Sequence, residues 1–165
     1  MRKPQSISLN RLSVIFDTPY GITYTTKVSL NIVLDTNVLL SALRSSRGAS
    51  FRLLDLLGSE CFTLHISAPL IAEYEAVLKR GELALSDQQI DDVIDFVCAK
   101  AMHHKIFFLW RPMLKDPGDD FLLELAVKAQ ANIVTWNIND FKRAASFGIS
   151  VWTPRELLAL LEAQP

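Results

Sequence analysis

The sequence is short of positive charge in excess, of cysteine, of histidine and of long apolar runs, and each shortage closes off a class of function. Its 17 Lys and Arg stand against 18 Asp and Glu, for a formal net charge of −1. It is therefore not built to coat nucleic acid by bulk attraction, although local basic patches stay open. No apolar run approaches the length of a transmembrane helix, and the N-terminus lacks the basic, apolar, small-residue order of a secretory signal, so neither membrane insertion nor export is expected. Cys61 and Cys98 lie far apart without metal-type spacing. Buried thiols are expected rather than a disulfide or a zinc site, and a reducing cytoplasm is the expected compartment. Repeats and low-complexity segments are missing as well.

What is there suits a single domain. A chain of 165 residues with 50% hydrophobic content can bury a sizeable core. Residues Met1 to Lys27 mix Ser, Thr, Pro and Asn with scattered apolar positions, with short strands expected only at Leu12 to Phe16 and Ile22 to Thr25. Residues 1–28 are read as an appendage and 29–165 as the domain. From Val28 onward short apolar strands alternate with amphipathic helices, the pattern of a parallel sheet with crossover helices.

Strands are expected at Ser29 to Leu34, Phe62 to Ser67, Lys105 to Trp110, Ile133 to Thr135 and Ile149 to Val151. Helices are expected at Val38 to Arg44, Phe51 to Leu57, after Pro69, from Asp87 to Ala101, through Ala129, at Phe141 to Ala145 and from Thr153-Pro154. Pro69 suits a first helical turn. Ser86 with Gln89 forms a capping box, and Ile90, Val93, Ile94 and Val97 make one apolar stripe.

Leu34-Asp35-Thr36-Asn37 closes the first apolar strand and opens the first helix, which sets a carboxylate on the sheet edge where α/β proteins gather ligands. Asp35 could equally cap the helix, as could Thr36 or Asn37. The other acids fall on the same edge: Glu73 in the helix after the second strand, Asp116, Asp119 and Asp120 before the helix after the third, and Asn137 with Asp140 after the fourth. Converging carboxylates repel unless a cation neutralises them or solvent separates them. Oxygen donors without His or Cys favour Mg²⁺ or Mn²⁺ over zinc, and such ions serve phosphoryl chemistry by activating water and clamping the reacting oxygens.

The run Val33-Leu34-Asp35-Thr36-Asn37-Val38-Leu39, then Ala72-Glu73-Tyr74, then Asp116-Pro117-Gly118-Asp119-Asp120, then Val134-Thr135-Trp136-Asn137 with Asp140-Phe141, resembles the PIN domain ribonucleases. The nearest likeness is to the branch assigned to toxins of type II toxin-antitoxin systems, and it spans about Asn31 to Leu158. Each motif alone is weak, whereas the four in order are specific. The resemblance implies an α/β fold, a single PIN-like domain whose central parallel sheet of about five strands is flanked by helices. It also implies metal-dependent cleavage of single-stranded RNA, inhibition by a small antitoxin protein, and core acids at Asp35, Glu73 and Asp119, with Asn137 or Asp140 at the variable fourth position.

Several alternatives stay open. Glu75 competes with Glu73. Asp116 also suits the start of a turn, and Asp119 or Asp120 also suits a helix N-terminus. Asn137 can ligate through its carbonyl but brings no charge, which Asp140 could supply. Trp136 is either a stacking platform for a base or an apolar cover for the sheet edge. His103 and His104 tempt a general-base or zinc reading, as does His65, but the adjacent pair in an extended segment points to opposite faces and cannot easily share a metal, so the pair is read as surface polar residues. Arg44, Arg47 and Lys115, with Lys142 and Arg143, are candidates for phosphate contacts.

A haloacid-dehalogenase-type phosphotransferase needs a second Asp two positions after the first, where this chain has Asn37, and a phospho-accepting receiver needs paired acids after its first strand. The expected function is a Mg²⁺- or Mn²⁺-dependent endoribonuclease, the toxin of a toxin-antitoxin pair. Asp35, Glu73, Asp119 and Asp140 are the expected metal-binding set, and Asn37, Asp116, Asp120 and Asn137 could contribute. A homodimer stays open. The alternative keeps the fold and drops the chemistry, giving a PIN-like module that binds RNA or protein through a degenerate site.

Overall fold

The computed structural model describes residues 13–17, 23–27, 29–107 and 120–163. Its elements are strands β1 (Ser13–Asp17), β2 (Thr23–Lys27) and β3 (Leu30–Leu34), helices α1 (Thr36–Arg44) and α2 (Ala49–Asp55), β4 (Phe62–Ser67), α3 (Ala68–Leu78), α4 (Asp87–Lys100), β5 (Met102–His104), α5 (Asp120–Ala129), β6 (Asn132–Val134), β7 (Val151–Trp152) and α6 (Pro154–Glu162). A 3₁₀ stretch, Ile138–Phe147, lies between β6 and β7.

Five strands form one sheet in the order β5-β4-β3-β6-β7, with every neighbouring pair parallel. The order follows from the chain's path. It starts at the central strand β3, steps outward to β4 and β5, then crosses back to place β6 on the other flank of β3. The reversal falls between β3 and β6, and a crevice opens at such a switch point at the carboxyl ends of the strands. Ile32, Val33 and Leu34 of β3 are all buried, as expected of a parallel strand covered on both faces. Helix α1 adds Val38, Leu39 and Ala42 to the core, and α3 adds Leu70, Tyr74 and Leu78.

The capping box of α4 is present in both directions: Ser86 Oγ accepts from the Gln89 amide at 3.3 Å and Gln89 Oε1 from the Ser86 amide at 2.9 Å. An equivalent box, Thr153 with Glu156, opens α6 and was not foreseen. Hydrogen bonding to Thr153 holds the Glu156 carboxyl below its ordinary value.

One strand needs correcting. The expected strand Lys105 to Trp110 is replaced by β5, Met102–His104. The described part of the run that suggested it, residues 105–107, is not strand and Phe107 is 76% exposed; residues 108–110 lie outside the described ones. Among the described residues β5 pairs only with β4, so this edge strand needs no run buried on both faces. The last strand is likewise shifted from Ile149–Val151 to Val151–Trp152. Gly148, at φ 72°, ends the 3₁₀ stretch, and Ile149 donates its amide back to Ala144.

β1 and β2 pair antiparallel in a two-stranded sheet of their own, near the two expected segments. An isolated hairpin is at best marginally stable. Deleting residues 1–28 is therefore expected to lower the melting temperature by no more than about 3 °C. A larger loss in a thermal melt would show that the hairpin supports the domain.

Candidate active site

The carboxyl ends of β3 and β6 bring the central residues together. The ladder continues one step past β3, because the Asp35 amide donates to Val134 O at 2.9 Å, and this sets Asp35 beside Thr135. Asp35 occupies the N-cap of α1, yet it makes no capping side-chain hydrogen bond. Its Oδ2 accepts instead from the Thr135 hydroxyl at 2.6 Å and from Asn37 Nδ2 at 2.7 Å. Oδ1 takes no side-chain hydrogen bond among the described residues. Asp35 is 9% exposed. Burial raises its pKa above the ordinary value, while the bond from Thr135 and those from Asn37 and Thr36 pull it partly back. A desolvated carboxylate with one oxygen free of side-chain hydrogen bonds is a good hard-cation ligand, because a cation would offset the cost of its burial.

Asn37 is the hinge of this arrangement. Its Nδ2 also reaches Thr135 Oγ1 at 3.2 Å, and its Oδ1 accepts the Trp136 amide at 3.1 Å. Thr135 Oγ1 further accepts the Asn137 amide at 2.9 Å. One asparagine in the first turn of α1 thus ties the end of β6 to the Asp35 carboxylate.

Glu73 is delivered by α3. The hydroxyl of the neighbouring Tyr74, fully buried, donates to Leu34 O at 2.5 Å. That bond pins this turn of α3 to the residue preceding Asp35. Burial, with the Asp35 charge adding to it, drives the Tyr74 pKa well above its ordinary value, so the phenol stays a donor. Glu73 is half-buried, whereas Glu75 is exposed and pairs with Lys79 at 2.8 Å, which also meets Asp91 at 2.7 Å. The geometry therefore separates the two glutamates: Glu75 belongs to a surface ion-pair cluster.

The other expected site residues are placed less fully. Asp116, Asp119 and Lys115 lie outside the described residues. Asp120 opens α5 and is buried. Asn137 is exposed at the start of the 3₁₀ stretch, and Asp140, half-buried, donates its amide to Asn137 O at 3.0 Å. Among the described residues no group of three His, Cys, Asp or Glu is close enough to hold a metal ion, so Asp35, Glu73, Asp120 and Asp140 are not brought together as such a group. Arg44 is paired with Glu82 on the surface, while Arg47 is exposed between α1 and α2.

The histidines form no cation site with acids. His65 is buried, and its Nδ1 lies 2.7 Å from Nε2 of His104 on the adjacent strand, whereas His103 bonds Cys98 O at 2.8 Å. Burial pushes both His65 and His104 below their ordinary value, each also opposed by neighbouring positive charge. Cys61 and Cys98 are free and half-buried.

The PIN domain family model matches residues 31–139. This chain belongs to the PIN domain family. Its fold is also that of solved PIN-fold complexes. VapBC2 from Rickettsia felis, bound to a DNA fragment from its promoter, matches with a TM-score of 0.57 at 18% identity, covering 75% of this chain and 98% of that one. FitAcB from Neisseria gonorrhoeae matches with a TM-score of 0.52 at 16% identity, covering 75% and 98%. FitAB bound to the IR36 DNA fragment matches with a TM-score of 0.51 at 17% identity, covering 74% and 94%. No curated protein matches significantly in sequence.

The sequence of this PIN domain did not reveal the part played by Thr135, which was placed at the end of a strand and within the fourth motif but given no role. A hydroxyl closing the apolar run Ile133-Val134 was the available signal, since a fully buried Thr needs a partner. Ser50, buried in α2, was missed because its partner, Trp136, is far away in the chain.

Proposed function

We propose that this PIN domain is a Mg²⁺- or Mn²⁺-dependent endoribonuclease acting on single-stranded RNA, and the toxin of a toxin-antitoxin pair. The observation that carries the reading is Asp35: a buried carboxylate at the switch point of the sheet, positioned through one oxygen by the side chains of Thr135 and Asn37. The residue types suit a hard cation. Asp35 would hold it with Asp119, Glu73 would bind it or orient its water, and Asp140 would supply the fourth acidic position beside the uncharged Asn137. When bound, the ion would lower the pKa of a coordinated water and polarise the phosphodiester.

The protein's own residues do the positioning. Thr135 and Asn37 fix the Asp35 carboxylate, and Tyr74 fixes the turn that carries Glu73. Arg47 supplies positive charge for phosphate without reading sequence. The likeness to toxin-antitoxin complexes supports a small antitoxin as partner. No helix among the described residues is long and apolar enough to cross a membrane.

Cleavage of a labelled single-stranded RNA should require added Mg²⁺ or Mn²⁺ and should stop in excess EDTA. The same ions should raise the melting temperature, because they bind only the folded site. Cleavage undiminished by EDTA would remove the metal mechanism. Metal binding without cleavage of any RNA would favour the degenerate binding module, to which the uncharged Asn137 points.

A further inference from the structure

Trp136 is 37% exposed, although tryptophan carries one of the largest apolar surfaces available for burial. It follows Thr135 directly, so it stands next to the residue that holds Asp35. Two bonds fix it from two helices: its amide donates to Asn37 Oδ1 of α1 at 3.1 Å, and its indole Nε1 donates to Ser50 Oγ of α2 at 3.0 Å. Ser50 is 2% exposed. The one polar atom of the ring is thus satisfied by a buried partner, so the exposed part of the ring needs no further polar contact. Arg47, three positions before Ser50, is exposed and makes no ion pair among the described residues.

Proteins hold single strands by stacking an aromatic ring on a base while cations meet the backbone. A partly buried indole needs a partner for its ring nitrogen in any role; what singles this one out is that 37% of the residue stays exposed directly beside the Thr135 that holds Asp35. We infer that Trp136 is a stacking platform for a base of single-stranded RNA, with Arg47 on a nearby phosphate, and that this subsite sets the register of the strand against Asp35. The role at the reacting phosphate rests on the nuclease reading, whereas the stacking does not depend on hydrolysis.

The test uses the full chain carrying Asp35→Asn, so that RNA stays intact, with single-stranded RNA 12-mers as the probe and a duplex of the same length as control. Tryptophan fluorescence should be quenched by the single strand and hardly by the duplex, and Trp136→Phe should abolish that difference, since Trp110 and Trp152 remain as internal references. Trp136→Ala should weaken binding about tenfold to a hundredfold, and Trp136→Phe far less, because a phenyl ring still stacks. Ser50→Ala keeps the ring but frees it, and should weaken binding about threefold. If Trp136→Ala does not fold, the quenching of the unaltered indole and the Ser50→Ala result decide. Equal quenching by duplex, or parental affinity in a folded Trp136→Ala protein, overturns the proposal. Parent protein that cuts RNA while Trp136→Ala binds normally would refute the stacking alone. Selective quenching in a protein that never cuts would refute the nuclease reading alone.

Discussion

Asp35→Asn should leave the domain folded and lower RNA cleavage by about a thousandfold or more, equivalent to roughly 4 kcal/mol of transition-state stabilisation. The amide keeps an oxygen for Thr135 and Asn37 to donate to, so packing and local geometry survive while the charge is lost. Stability should move the other way. Burial raises the Asp35 pKa in the folded state above the ordinary 3.8, so the folded protein holds the proton more tightly than the unfolded chain. Stability from this group is complete below 3.8 and is lost as pH rises through the raised value. In metal-free protein at neutral pH, Asp35→Asn should therefore raise the melting temperature, by about 2–4 °C for each kcal/mol relieved, and the gain should vanish below the ordinary carboxylate value. Thermal melts in chelator across pH, paired with cleavage assays in Mn²⁺, read both effects. A folded Asp35→Asn protein that cuts at the parental rate would end the assignment of Asp35 as a ligand.

Asn37→Asp should be more damaging to the metal-free fold than Asn37→Ala, although it looks the more conservative change. Asn37 donates to Asp35 Oδ2 at 2.7 Å and accepts from the Trp136 amide at 3.1 Å. An ionised aspartate keeps the second bond but cannot make the first, because it has no proton to give. It also sets a second negative charge against a carboxylate already burdened by burial. The expected cost is about 2 kcal/mol, which for a domain of this size is a fall of roughly 4–8 °C in chelator. It should shrink as pH falls through the carboxylate range and the pair takes up a proton. Asn37→Ala, which only deletes bonds, should cost about half as much and reduce cleavage about tenfold through a loosened Asp35. If Asn37→Asp melts with the parent at neutral pH in EDTA, the amide does not hold Asp35 as a donor.

Much of this was legible in the sequence for local reasons. β4 lies at Phe62–Ser67 as read, the Ser86 capping box forms, and Pro69 sits in the first turn of α3. Each is settled by residues within a few positions of one another. The placement of Asp35 at a strand end was legible too, from the switch between an apolar run and a helical one. What holds it was not, because the Asp35 and Thr135 side chains that meet are 100 positions apart. The Tyr74 bond to Leu34 O joins residues 40 apart. No periodicity encodes such pairs, since they arise only when the sheet order brings β6 beside β3. β5 was misplaced for the opposite reason: Ile106 to Trp110 looks more strand-like than Met102-His103-His104, but an edge position asks less of its residues than a central one.

The five-stranded sheet ends in β5 and β7, strands of 3 and 2 residues. Rims that short give an incoming extended peptide only one or two main-chain bonds apiece, too few to anchor it by backbone pairing. Among the described residues, the five-stranded sheet thus offers little to lengthen, whether by another copy of itself or by a strand-donating ligand. A partner that grips the five-stranded sheet's helices and loops would have to recognise the side chains displayed there, and its selectivity would be written in those residues.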